Sequence, residues 1–507
     1  MGKLNVRPFV FWMPLLFFVA LVSASLANPD SFLSVTKAIN DWILNTFEHA
    51  FAYAAFTFVL TCLWAALSPI GKIRIGGADA KPLLSRWNWL AITLTTTIAI
   101  GILFWATAEP IYHLYEPGGQ PIEPGSAEAE GFAMSTMFMH WAFTPYAIYT
   151  IPGLTFALVY YNLKKPFSLT SPIIVLTGRP ASNLGAQFLD GIALLSLLFG
   201  LTAVLGAGIM SISGGLARVT PLSSGPVLLG LVTVSIVAAF FLSSASGLQK
   251  GIRVLSDINT KIFLALMLFV LLAGPTWGAL SLGGASVGQY VMEFLPRSLF
   301  LAPFNDKDWM HAWTIFYWAN WLAWAPLTAL FLGKISRGYT VREYVAVNFL
   351  LPALFSMVWM TIFGGTALSI EKRSPGALKT VLETAGPDHV LYAVVDHLPL
   401  ALPVAILFVC VSFISYVTAA DSNTDVMSNL CTKSDDTSIQ GRGNTLIKLV
   451  LASAVGIAAW IMTTLSGIDG VRMLSNLGGL PALFIVIIFN IVLIVLGTIK
   501  IKDLRDS

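Results

Sequence analysis

The chain has 507 residues, 56% of them hydrophobic and only 11% charged, with a mean hydropathy of +0.78 and a net charge of +3. A soluble globular chain carries about 25% charged residues, so this composition excludes an ordinary soluble enzyme and fits a polytopic membrane protein. The small net charge gives no reason to expect a nucleic-acid partner, and Cys62, Cys410 and Cys431 are too scattered for a disulfide framework or a metal site.

Apolar runs near the ~20 residues needed to cross a bilayer recur along the whole length. They predict twelve spans, at 8–27, 48–69, 88–108, 134–160, 187–210, 225–244, 253–275, 309–333, 343–369, 399–420, 447–465 and 477–499. The first follows Lys3 and Arg7 and ends in Ser-Ala-Ser-Leu-Ala, like a cleavable signal. Its apolar stretch exceeds the roughly 7 to 15 residues of a signal core, so it is read as helix one. Span three carries Thr95, Thr96 and Thr97, whose oxygens suit a hard cation or bond back to their own helix. Glu109, Glu116, Glu123, Glu128 and Glu130 follow with no Lys or Arg among them, and read as an external loop. Span four holds His140, which either carries a proton or is a hydrogen-bonded core histidine.

Span five is rich in small residues between Gly200 and Gly215, which lets helices pack closely. Span seven contains Lys261, and Asp421 stands at the cytoplasmic end of span ten; an ion pair or a snorkelling lysine accounts for each. Residues 279–308 are amphipathic and predict a helix lying across the outer surface, with a second cover at 374–398. Lys72, Arg74, Lys81, Arg86, Lys164, Lys165, Lys334 and Arg337 fall in alternate loops, which places those loops and both termini in the cytoplasm.

Span eight is the most informative. Trp313, Trp318, Trp321 and Trp324 lie within twelve residues, and the last three trace an arc along one side of a helix. Aromatic faces away from water hold a quaternary ammonium without a countercharge. The competing reading is an interfacial aromatic belt. No His-Glu-x-x-His occurs and no intramembrane cluster of His and Asp is legible, so an enzyme is not expected. A channel is disfavoured because a bulky aromatic site suits binding and occlusion.

Trp313 to Pro326, followed by Phe331 to Glu343, resembles the signature of the betaine/choline/carnitine transporters. Gly247 to Asp257, Phe363 to Ala367 and Thr418 to Ser422 are similar to the same family, and the likeness covers nearly the whole chain. The resemblance implies an all-α polytopic membrane protein with twelve transmembrane helices and a five-plus-five inverted repeat, the LeuT-like fold. Its divisions fall at 1–87 (two peripheral helices and a cytoplasmic loop), 88–275 (first repeat), 276–308 (connector), 309–499 (second repeat) and 500–507 (tail). It implies a homotrimer in the lipid of a bacterial plasma (inner) membrane.

The implied function is import of a small quaternary-ammonium or zwitterionic solute of the betaine, choline or carnitine type by alternating access, coupled to sodium or protons. Substrate/product exchange, or carriage of a less methylated ligand such as an amino acid, stays open. The implied substrate residues are Trp141, Tyr146, Tyr149, Trp318, Asn320, Trp321 and Trp324. No cofactor is implied beyond sodium as a candidate coupling ion, whose site maps onto Thr95, Ile98, Ser415 and Thr418. The chain departs from the family pattern at Asn320 and Tyr146, where tryptophan is usual, at Ala419, where a hydroxyl residue is usual, and in span three, where only Gly101 remains of a glycine-rich break. Exchangers of the family carry arginine and methionine where this chain has Asn259 and Thr328, which favours symport.

Overall fold

The structure is a computed structural model that describes residues 6–97, 99–180, 182–246, 249–299, 306–432 and 444–505. It is helical throughout, with two isolated β-bridges, Val6 to Thr432 and Arg74 to Thr340, and no strand among the described residues. In chain order the helices are α1 (Pro8–Ala27), α2 (Pro29–Leu67), α3 (Arg86–Thr97), α4 (Ala99–Tyr115), α5 (Ala127–Trp141), α6 (Phe143–Ala157) and α7 (Ser171–Thr177). There follow α8 (Asn183–Val219), α9 (Pro226–Ser246), α10 (Gln249–Ala273), α11 (Thr276–Ser298), α12 (Lys307–Met310), α13 (Phe316–Ile335), α14 (Val341–Val345) and α15 (Leu351–Arg373). The last five are α16 (Ala377–Thr384), α17 (Pro387–Asp396), α18 (Ala401–Cys431), α19 (Thr445–Thr498) and α20 (Ile501–Arg505).

The starts of these helices are written locally. Asn28 accepts from the Ser31 amide ahead of Pro29, Ser126 caps α5 with Glu128 and Glu130 in its first turn, and Thr340 forms a reciprocal capping box with Glu343.

Among the described residues eight helices are long and apolar enough to cross a membrane, or nine if the α10–α11 pair is one bent span. The difference from twelve predicted spans has identifiable sources. Spans three and six include residue 98 and side chains from 243 on, which lie outside the described set, so neither is among those eight or nine. Spans eleven and twelve both fall in α19, 54 residues long, which leaves helical geometry at Gly467 (φ 53°, ψ −132°). That conformation suits glycine, and it brings Gly470 back against the carbonyl of Met462. Conversely, α2 begins at Pro29, well before the predicted start at 48, because Asp30, Lys37 and Asp41 mask its first turns from a hydropathy reading.

The centre is built from α6, α8, α13 and α19, which pack on one another. A Cβ at Gly479 of α19 would stand 2.5 Å from the Ala319 backbone of α13, so these two helices touch main chain to main chain. At Gly274-Pro275 the chain turns by 108° into α11, which packs on α5 and α15. Helices α16 and α17 occupy the segment of the expected second cover, seated by Glu371, which accepts from the Gly376 and Leu378 amides at 2.6 and 2.7 Å. Lys261 is paired with Asp257 at 2.6 Å. Asp421 is among the residues whose side chains are outside the described set.

One placement corrects the sequence reading. Glu109 is not in an external loop: it lies within α4 and is fully buried, and the loop begins only after Tyr115.

Candidate functional site

Helix α5 ends at Trp141, and α6 starts two residues later at Phe143; between them Ala142 has φ −104° and ψ −115°. Pro145 lacks an amide hydrogen and restricts Thr144, so it is tolerated in the first turn of a new helix but not in the interior of a continuous one. The break leaves carbonyls at the end of α5 without helical donors. The Trp321 indole donates to one of them, the His140 carbonyl, at 3.2 Å.

Trp321 is thereby fixed at the centre of a ring cluster. Its centroid lies 5.5 Å from Trp141, 6.0 Å from Tyr146 and 5.5 Å from Tyr149, in edge-on or tilted contacts. Edge-to-face contacts of this kind are the favoured aromatic geometry. The Tyr146 hydroxyl is paired with Ser356 of α15 at 2.7 Å. Gly101 of α4 backs onto Trp141, where a Cβ would be 3.2 Å from the indole. All four rings are buried, on α5, α6 and α13.

The other expected substrate residues point elsewhere on α13. Trp318 stands 6.1 Å from His140, Trp324 lies against Gly200 of α8, and Asn320 accepts from the Ser475 hydroxyl of α19 at 2.9 Å. The structure therefore brings Trp141, Tyr146, Tyr149 and Trp321 together and sets Trp318, Asn320 and Trp324 around the rest of the helix.

Behind Trp141 is a polar group that the sequence reading missed. One Glu109 carboxylate oxygen meets His140 Nδ1 at 2.7 Å and His113 Nε2 at 3.2 Å; the other accepts from Trp141 Nε1 at 2.8 Å and from the Tyr317 hydroxyl at 2.5 Å. His140 Nε2 lies 3.1 Å from the Thr314 hydroxyl, and its ring stacks on Tyr317 at 4.6 Å. Burying a carboxylate in a membrane costs several kcal/mol unless its oxygens are hydrogen-bonded, and here four donors surround it. The expected absence of an intramembrane acid and histidine cluster is thus overturned. The signals were the i,i+4 pairs Glu109/His113 and Trp313/Tyr317, each within a helix. Ligand atoms of Glu109, His113 and His140 lie within 4.8 Å of one another, and both histidines meet the same Glu109 oxygen in a group closed to solvent.

The expected ion residues are on other helices. Ser415 of α18 accepts from the Asn259 amide of α10 at 2.8 Å, and the Thr418 hydroxyl donates to the Ile414 carbonyl at 2.6 Å. The Thr95 side chain and Ile98 lie outside the described residues. Thr97 bonds back to the Thr93 carbonyl at 2.8 Å. Asn259 and Ser415 line a cavity of about 250 Å³ with Trp87, Leu94, Phe263 and Phe355, and the Asn259 amide oxygen has no partner among the described residues. Thr328 is paired with Asn423 at 3.4 Å.

The sequence model described as "BCCT, betaine/carnitine/choline family transporter" matches residues 9–499. The chain is 31% identical over 423 residues to the glycine betaine transporter OpuD of Bacillus subtilis, covering 82% of this chain and 81% of that protein. It is 28% identical over 510 residues to the betaine/ectoine transporter LcoP of Corynebacterium glutamicum (100% and 79%). With the osmo-dependent choline transporter BetT2 of Acinetobacter baylyi the identity is 29% over 479 residues (93% and 68%).

Proposed function

The chain belongs to the betaine/carnitine/choline transporter family, and from that premise we propose that it imports a small trimethylammonium or related zwitterionic solute by alternating access, coupled to sodium or protons. It is a transporter and not an enzyme, in a multi-pass membrane setting. The observation that carries the proposal is the cluster of Trp141, Tyr146, Tyr149 and Trp321 at the break between α5 and α6. Four aromatic rings meet there away from bulk water, and a desolvated cation over an aromatic face gains about 2 kcal/mol or more.

The finer architecture belongs to the same proposal: twelve spans with a five-plus-five repeat, both termini cytoplasmic, in a homotrimer of a bacterial plasma membrane. The division of α19 at Gly467 supports the higher span number. On this reading Asn259 and Ser415 sit on the ion side, where a neutral amide in place of a fixed cation leaves room for a coupling cation. Asn320 acts indirectly, by holding α13 to α19 through Ser475.

Purified protein in liposomes tests the proposal. Glycine betaine, choline or ectoine should show saturable uptake and counterflow driven by internal substrate. Passive, non-saturable flux of all three would contradict a carrier, and saturable uptake of solutes without a cationic head alone would contradict the substrate class.

A further inference from the structure

We infer that His140 and Glu109 form a proton-binding site thermodynamically linked to occupancy of the ring cluster, such that a proton on this pair opposes binding of a cationic head. The inference rests on the transport reading above.

Every donor to Glu109 is formally neutral: two indole or phenol groups and two imidazoles. With neutral histidines the group therefore carries one negative charge, and with one imidazolium it carries none. His140 is built to accept either state. Its Nδ1 donates to Glu109 in both, while its Nε2 faces a hydroxyl, Thr314, which can donate to a bare ring nitrogen or accept from a protonated one. His113 is not built that way. Its Nε2 faces Glu109, but its Nδ1 is buried with no partner among the described residues, so a proton there would be an orphan. His140 is also in the last turn of α5, where the helix terminus favours positive charge.

The other charged and titratable groups facing the pair are few. Tyr317 of α13 stacks on His140. Arg297 of α11 bonds Ser135 and Thr136, one turn from His140, and is paired with Glu293. Arg472 of α19 lies over the Trp313 ring at 4.6 Å and bonds Asp469. Neither arginine bonds Glu109.

Two tethers connect the pair to the rings. Trp141 donates to Glu109, and Trp321 donates to the His140 carbonyl. A cation held on those rings is attracted by the charged form of the pair and not by the neutral form. The sign follows: binding tightens as pH rises, and a bound cation expels the proton. By reciprocity the proton weakens the cation by the same factor.

Full-length protein in detergent, titrated with choline and with glycine betaine in two buffers of different ionisation enthalpy, tests this. We expect the affinity at about pH 5.5 to be at least about fivefold weaker than at about pH 8, with net proton release on binding. His140→Gln, which keeps a donor toward Glu109, should abolish both, whereas His113→Gln should keep both. Buffer-independent heats and pH-independent affinity in the unaltered protein would overturn the inference. So would equal pH dependence in His140→Gln. If neither compound binds, the transport reading fails, but infrared difference spectra across the same pH range still decide the proton site. A band lost in His140→Gln supports it, and no titrating band refutes it.

Discussion

Two buried polar regions of this molecule differ in how completely they are satisfied. Around Glu109, both carboxylate oxygens are bonded twice, His113 Nδ1 alone of the group lacks a partner among the described residues, and Glu109, His113 and His140 are wholly closed to solvent. Around Asn259 and Ser415, one hydrogen bond is made, an amide oxygen lacks a partner, and a cavity of about 250 Å³ opens beside them. The first arrangement fixes ring positions and tolerates little change. The second has unused ligating capacity and room beside it, as a site that takes and releases an ion requires. The proposed function thus assigns binding specificity and ion coupling to regions of opposite character.

Substitutions sharpen that contrast, starting with the largest expected effect. Glu109→Leu removes the acceptor of four buried donors and should cost about 3 to 5 kcal/mol of stability, read as a lower unfolding temperature in detergent; an unchanged temperature would show that the region is not tightly determined. Trp321→Ala removes three ring contacts and should weaken trimethylammonium binding by about 2 kcal/mol, roughly 30-fold, with the protein still folded. Ser415→Ala leaves the Asn259 amide with no partner and should cost only about 1 kcal/mol of stability. If sodium is the coupling ion, the same change should raise the sodium concentration needed for half-maximal uptake. Equal stability losses at Glu109 and Ser415 would break the comparison. Asn320→Ala deletes one interhelical bond and should cost about 0.6 kcal/mol, with a small change in uptake rate and no change in the ranking of ligands.

The aromatic cluster was legible in the sequence to the extent that its rings share helices and carry regular spacing. Trp321, Trp141, Tyr146 and Tyr149 could be named because the two segments that hold them match a family pattern. Which of the α13 aromatics meet those rings was not legible, because it depends on how α13 is rotated against α6 and α19. Tyr317 escaped notice although it lies four residues from Trp321 and Trp313. The Glu109 group was hidden for a different reason. Its carboxylate stands near the end of an apolar run and was assigned to the acidic loop that follows, and its partners lie 31, 32 and 208 residues away. The local i,i+4 spacing of Glu109 and His113 hints at the pair but not at partners over such separations. The long α2 and the divided α19 show the same limit. Polar first turns conceal a helix from hydropathy, and a single glycine turns two apolar runs into one interrupted element.

The central claim is that Trp321 and its neighbours hold a trimethylammonium head. Direct binding of glycine betaine and choline to the purified protein, compared with Trp321→Ala and with tert-butyl analogues that keep the shape but lack the charge, tests it most directly. The account predicts saturable binding of the charged compounds, a roughly 30-fold loss in the variant, and little binding of the neutral analogues. Equal affinity for charged and neutral analogues, or an unaltered affinity in Trp321→Ala, would contradict it.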